Sequence, residues 1–141
     1  MRKQPSTEPF YSGSGRGNYR VLGVALALSG AVAVALGAYA AHGMAARADE
    51  AAIDAVNVGV RYQMWHTLAL LALLIWQRRE PAVKLRPVMA LWVLGIAAFS
   101  GSLYAMALGG FNVGLVTPLG GLLLIAGWLT LGVVVLRAGH G

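Results

Sequence analysis

Four stretches of the chain run for about twenty residues with few or no charges, and short polar segments separate them. The first, residues 21–41, has no charged side chain. At about 1.5 Å of rise per residue such a run reaches about 32 Å, enough for the roughly 30 Å hydrocarbon layer of a bilayer. The second covers residues 58–76 and ends at Gln77-Arg78-Arg79-Glu80-Pro81, where charges and a proline stop the helix. The third covers residues 88–108, Gly109-Gly110-Phe111-Asn112 supplies a tight turn, and the fourth covers residues 113–136. Residues 44–60 carry Arg47, Asp49, Glu50 and Asp54 with Ile53, Val56 and Val60 at helical spacing. That pattern predicts an amphipathic helix at the membrane surface, running on into the second span. The expected fold is all-α: a four-helix transmembrane bundle with a short amphipathic helix between the first and second spans.

The ends differ from this pattern. Residues 1–19 are rich in Ser, Gly and Pro, with no apolar period, and read as a flexible polar tail; residues 138–141 form a short C-terminal one. Ala38-Tyr39-Ala40 resembles a signal-peptidase site. The apolar run before it is longer than the roughly 7–15 residues of a signal core, so the segment is expected to remain as a span.

Composition agrees with a membrane protein. Hydrophobic residues make up 58% of the chain and charged ones 11%, against about 25% charged in soluble domains. The absence of cysteine excludes disulfides, thiolate metal sites and cysteine nucleophiles. The net charge of +6 comes from residues that flank apolar spans, which argues against nucleic acid and for a lipid bilayer as the partner. Nine of the eleven Lys and Arg lie in the N-terminal tail, the second loop and the C-terminus. By the positive-inside rule both termini are then cytoplasmic, in a bacterial inner membrane, and the first loop is on the outer side.

Helices in lipid associate through close packing of small residues, since burying apolar surface gains little there. Ala25, Ser29, Ala33, Gly37 and Ala41 form one ridge at four-residue spacing, and Ala97, Gly101, Ala105 and Gly109 form another. Both are expected to face neighbouring helices. Pro118 is expected to kink the fourth span by removing a helical hydrogen bond.

Candidate chemistry gathers in Arg61, Tyr62, Gln63, Trp65 and His66, with Tyr39 and His42 at the end of the preceding span. If the two histidines share a membrane depth, they offer a thin metal or haem site, imidazole being the commonest ligand of that kind. Arg61, Tyr62, Trp65 and His66 would equally suit a lipid headgroup or a quinone. The plainest reading makes the cluster interfacial anchors and interhelical hydrogen bonds, with no metal and no cofactor. No Ser, His and carboxylate trio sits on neighbouring surfaces of the expected fold and no phosphate-binding glycine loop follows a strand, so no catalytic residues are assigned and no enzyme is expected.

Four motifs in order sharpen the identity: Gly37-Ala38-Tyr39-Ala40-Ala41-His42-Gly43, Arg61-Tyr62-Gln63-Met64-Trp65-His66-Thr67-Leu68-Ala69-Leu70, Phe99-Ser100-Gly101-Ser102-Leu103-Tyr104 and Thr117-Pro118-Leu119-Gly120-Gly121. Over residues 20–137 the chain resembles the YgdD/YwdK-type small integral membrane protein family, a domain of unknown function with mitochondrial and animal relatives. The resemblance implies a four-span inner-membrane protein and no established reaction. The function expected is that of an accessory, scaffolding or assembly subunit of a larger membrane complex, associating with other subunits or with itself. The alternative is a binding module for a lipid headgroup, quinone or haem at the Tyr/Arg/His cluster.

Overall fold

The structure, a computed structural model, describes residues 14–138, of which 14–18 by backbone alone; residues 1–13 of the expected tail and the last three residues lie outside it. Helix α1 spans Ser14–Ala38 and continues directly into a π-helical segment, Tyr39–Met44. Helices α2 (Glu50–Arg79), α3 (Arg86–Gly109) and α4 (Val116–Ala138) follow. All four are long and apolar enough to cross a membrane. Residues 14–19, expected in the tail, are the first helical turns.

Local chemistry sets the ends. Asp49 is extended, and its carboxylate accepts from the Ala52 amide at 2.8 Å, while Glu50 adds a negative charge to the first turn of α2. Pro87 opens α3, where a missing amide hydrogen costs nothing. Gly110 closes it in the left-handed region (φ 66°), the conformation glycine adopts without steric cost, and the amides of Gly110 and Phe111 bond back to Met106 and Ala105.

The amphipathic stretch and the second span are one helix of 30 residues, about 45 Å long. Its apolar positions face protein: Val56 is fully buried against Ala40 and Met44 of the π segment, with Ile53, Val60 and Tyr104 around them. This continuity carries residues 61–66 deep into the second helix.

The helices lie side by side in chain order. The backbone of α1 approaches that of α2, α2 approaches α3, and α3 approaches α4, with no close backbone approach between other α-helix pairs among the described residues. The larger core fills the α2–α3–α4 side, with Trp92, Leu70, Leu85 and Val88 fully buried.

The expected ridges are corrected. On α1, Ser29, Ala33 and Gly37 do turn toward α2, but Ala25 and Ala41 are exposed. A row of every fourth residue winds around a helix by about 40° per step, so five rungs cannot all meet one neighbour. The buried stripe instead alternates steps of four and three through Leu22, Leu26, Ser29, Ala33, Leu36 and Ala40, and ends four residues on at Met44 in the π segment. On α3, Ala97, Gly101 and Gly109 are exposed and Ala105 is only half-buried. The close contacts fall on other glycines. A Cβ on Gly120 would stand 2.7 Å from Phe99 Cα and 2.8 Å from the Ala98 carbonyl carbon, and Gly95 and Gly127 are similarly pressed by Leu124 and Trp92.

Pro118 does not kink α4. The helix starts at Val116, so the proline sits in the first turn, where its missing N–H has no helical carbonyl to meet.

Candidate functional site

Gln63 is the hub of the interior. It is 6% exposed, and its amide joins three helices: Nε2 donates to the Ser29 carbonyl of α1 at 2.8 Å, and Oε1 accepts from the Tyr104 hydroxyl of α3 at 2.8 Å. Ser29 Oγ in turn shares a hydrogen with Thr67 Oγ1 at 2.8 Å. One turn nearer the α1–α2 connection, Ser100 Oγ donates to the Gly59 carbonyl at 2.8 Å, and Ser102 Oγ pairs with Thr117 Oγ1 of α4 at 2.7 Å. An unpaired polar group in hydrocarbon costs several kcal/mol, so these side chains fix which faces meet. Among the described residues no buried side-chain nitrogen or oxygen lacks a partner.

His66 lies one turn from the hub, on the side facing α4, and is 4% exposed. Its Nδ1 lies 2.8 Å from the Tyr62 carbonyl, which only accepts, and its Nε2 receives the Trp128 indole N–H at 3.1 Å. These two bonds require a neutral ring with the proton on Nδ1. Trp92 and Trp128 meet the imidazole edge-on, with centroids at 5.7 and 6.1 Å, and Tyr62 stacks on it at 6.2 Å. Trp92 also anchors α4 through Nε1 to the Leu124 carbonyl at 3.2 Å. Both imidazole nitrogens are therefore already engaged.

The other candidates divide. Arg61, Tyr62 and Trp65 are on the exposed side of α2, Tyr62 and Trp65 in ring contact at 5.5 Å. Tyr39 and His42 lie in the π segment and are exposed; the Tyr39 ring covers Gly43, where a Cβ would overlap it.

The structure separates the two histidines that were expected to share a depth. Ser29 bonds to both Gln63 and Thr67, which bracket His66, so His66 is level with Ser29. His42 is thirteen residues farther along the helix, about 20 Å along its axis. No metal or haem can bridge the pair. The reason is the length of α2, whose first two turns lie beyond the expected span and push His66 inward. Among the described residues no three His, Asp or Glu side chains group as metal ligands.

Tyr104, the partner of Gln63, and Thr67 and Ser100, which bond to Ser29 and to the Gly59 carbonyl, were visible in the motifs but not singled out, and Trp92 and Trp128 were missed. Their signal was available. A hydroxyl in a charge-free span needs a partner, and a tryptophan in mid-span, as Trp128 is, stands away from the interfacial belt where tryptophan gathers.

Comparison with known proteins bears on this region. Residues 36–121 match the family described as "Protein of unknown function (DUF423)". The chain is 44% identical over 107 residues to a UPF0382 membrane protein of Haemophilus influenzae, covering 75% of this chain and 86% of that protein. It is 37% identical over 103 residues to the UPF0382 inner membrane protein YgdD of Escherichia coli K12, covering 72% and 79%. Similarity extends to the UPF0382 membrane protein SSP2132 of Staphylococcus saprophyticus, 39% over 106 residues, covering 74% and 88%. No solved structure matches the chain. The matched family segment includes Gln63, His66, Trp92, Ser100 and Tyr104.

Proposed function

Because this chain belongs to the DUF423 family of membrane proteins, the YgdD type, we propose that it serves as a non-catalytic accessory or assembly subunit, associating laterally with partner helices of a larger complex. Its termini face the cytoplasm in this reading, on the strength of the Lys and Arg distribution.

The observation that carries the reading is an open groove between α1 and α2. It encloses about 310 Å³ and is walled by Gly23, Ala27, Gly30 and Ala31 on one side and by Met64, Leu68 and Leu71 on the other. A Cβ on Gly30 would meet nothing within 4 Å. Small residues that none of the described helices covers are the surface on which another membrane helix approaches closely. The interior offers less: its amide, hydroxyl and imidazole groups already have hydrogen-bond partners within the fold.

Purification from native membranes in a mild detergent, at several detergent concentrations, tests it. Co-purification of a stoichiometric membrane protein, lost when Gly30→Leu fills the groove, is the expected result. Migration as a bare monomer at every concentration would overturn the reading.

A further inference from the structure

Arg61 stands out among the charged side chains, because it is exposed on the lipid side of a helix that is otherwise apolar from that point on. It is followed by sixteen residues with no charge, up to Arg78. Its guanidinium has no ion-pair partner among the described residues.

Contacts between helices give its depth. Gly59, half a turn earlier, takes the Ser100 hydroxyl, and Ser102, half a turn farther along α3, bonds to Thr117 in the first turn of α4. Arg61 is thus level with the start of α4, where that helix leaves the short Gly110–Leu115 connection. Arg78 lies seventeen positions after Arg61, about 25 Å of helix, so the two stand near opposite boundaries of the hydrocarbon layer.

The exposed stripe through Arg61 has an order. From the surface inward it presents Asp54, Asn57, Arg61, Trp65, Leu68 and Ile75, each exposed. Side chains on a helix lean toward its N-terminus, which for α2 is the surface end, so the guanidinium reaches up toward the headgroup layer. Below it Trp65 is 55% exposed, and the exposed Leu68 and Ile75 continue the stripe toward the middle of the span. Carboxylate, amide, guanidinium, indole and aliphatic residues thus follow one another as headgroup, phosphate, glycerol and chain do in a phospholipid.

We propose that Arg61 holds the phosphodiester of a glycerophospholipid standing against this stripe, in the leaflet on the side of the α1–α2 connection. The guanidinium fork matches two phosphate oxygens, and Trp65 packs on the upper part of the chains. The site needs no partner protein, so it stands or falls independently of the accessory role.

Native mass spectrometry of the full chain, released from micelles supplemented with phosphatidylglycerol, phosphatidylethanolamine or diacylglycerol of matched chains, tests this. One retained phospholipid per chain is expected from either phosphate-bearing lipid, and none of the diacylglycerol. Arg61→Gln should lower retention about tenfold, as loss of a charge-assisted pair does, and Arg61→Lys by less. Arg78→Gln, at the opposite boundary, should leave retention unchanged, and circular dichroism should show Arg61→Gln to be as helical as the parent. Undiminished retention in Arg61→Gln, equal retention of diacylglycerol, or an equal loss in Arg78→Gln would each overturn the assignment.

Discussion

The seam between α3 and α4 and the seam between α1 and α2 join helices of similar length and apolarity by different means. At the α3–α4 seam three glycines, Gly95, Gly120 and Gly127, remove the Cβ atoms that would hold the backbones apart, and Trp92 fills the space beside them. At the α1–α2 seam the glycines have room: Gly30 meets nothing within 4 Å, Gly23 only Leu74 at 3.9 Å and Gly37 only Val60 at 3.5 Å. Here the polar clasp of Ser29, Gln63 and Thr67 and the small cluster of Ala40, Met44 and Val56 hold the helices. One seam depends on contact between backbones and is intolerant of added atoms; the other depends on a few hydrogen bonds and leaves α1 with an open flank. In lipid, where apolar surface alone supplies little association, both means are available and the local sequence selects between them.

The comparison breaks most directly at Gly120. Gly120→Ala inserts a methyl against the Phe99 backbone, which cannot swing aside as a side chain can. A loss of about 2–3 kcal/mol is expected, measured as unfolding in mixed micelles of increasing denaturing detergent. A neutral result would mean that the α3–α4 seam has slack.

Gln63→Leu attacks the other seam. It leaves the Tyr104 hydroxyl and the Ser29 carbonyl without their partner and should cost about 1–2 kcal/mol. The loss should fall on α1. A cysteine pair introduced at Gly37 and Val60, in a chain with no native cysteine, should cross-link readily in the parent and slowly in the Gln63→Leu background. Equal cross-linking would remove the clasp from the account.

Trp128→Phe keeps the aromatic bulk but removes the donor to His66 Nε2, a change worth about 0.5–1 kcal/mol of stability. His66 should then become the ring most altered in histidine NMR spectra, with His42 unchanged because it lies about 20 Å away along the helices. Smallest are Gly30→Ala and Gly101→Ala, which meet open space, and Pro118→Ala in the first turn of α4. The first two should be neutral or stabilising by about 0.5–1 kcal/mol through helix propensity, and the third should change stability by less than about 0.5 kcal/mol. Gly30→Ala as costly as Gly120→Ala would erase the contrast between the seams.

The candidate site was half legible. Arg61, Tyr62, Gln63, Trp65 and His66 are conspicuous in the sequence because polar and aromatic groups at membrane depth require an explanation. Their division was not legible, because adjacent positions point about 100° apart on a helix. Gln63 and His66 turn inward to different neighbours, while Arg61 and Trp65 turn to lipid. The pairing of His42 with His66 failed because a short connection fixes which helix ends meet, not how far from that end a residue lies.

What the chain determines by itself is the number of spans, their approximate limits and the residues that stop them. A hydrocarbon layer about 30 Å thick demands twenty apolar residues, a requirement written locally, window by window. Which face of each span meets a neighbour was decided only in three dimensions. In a water-soluble helix the polar side marks the outside, but in lipid both sides are apolar and the periodic signal fades. Ala97 and Gly101 thus look as suited to packing as Gly95, and only the position of Leu124 across the seam made Gly95 the contact and left the other two in lipid.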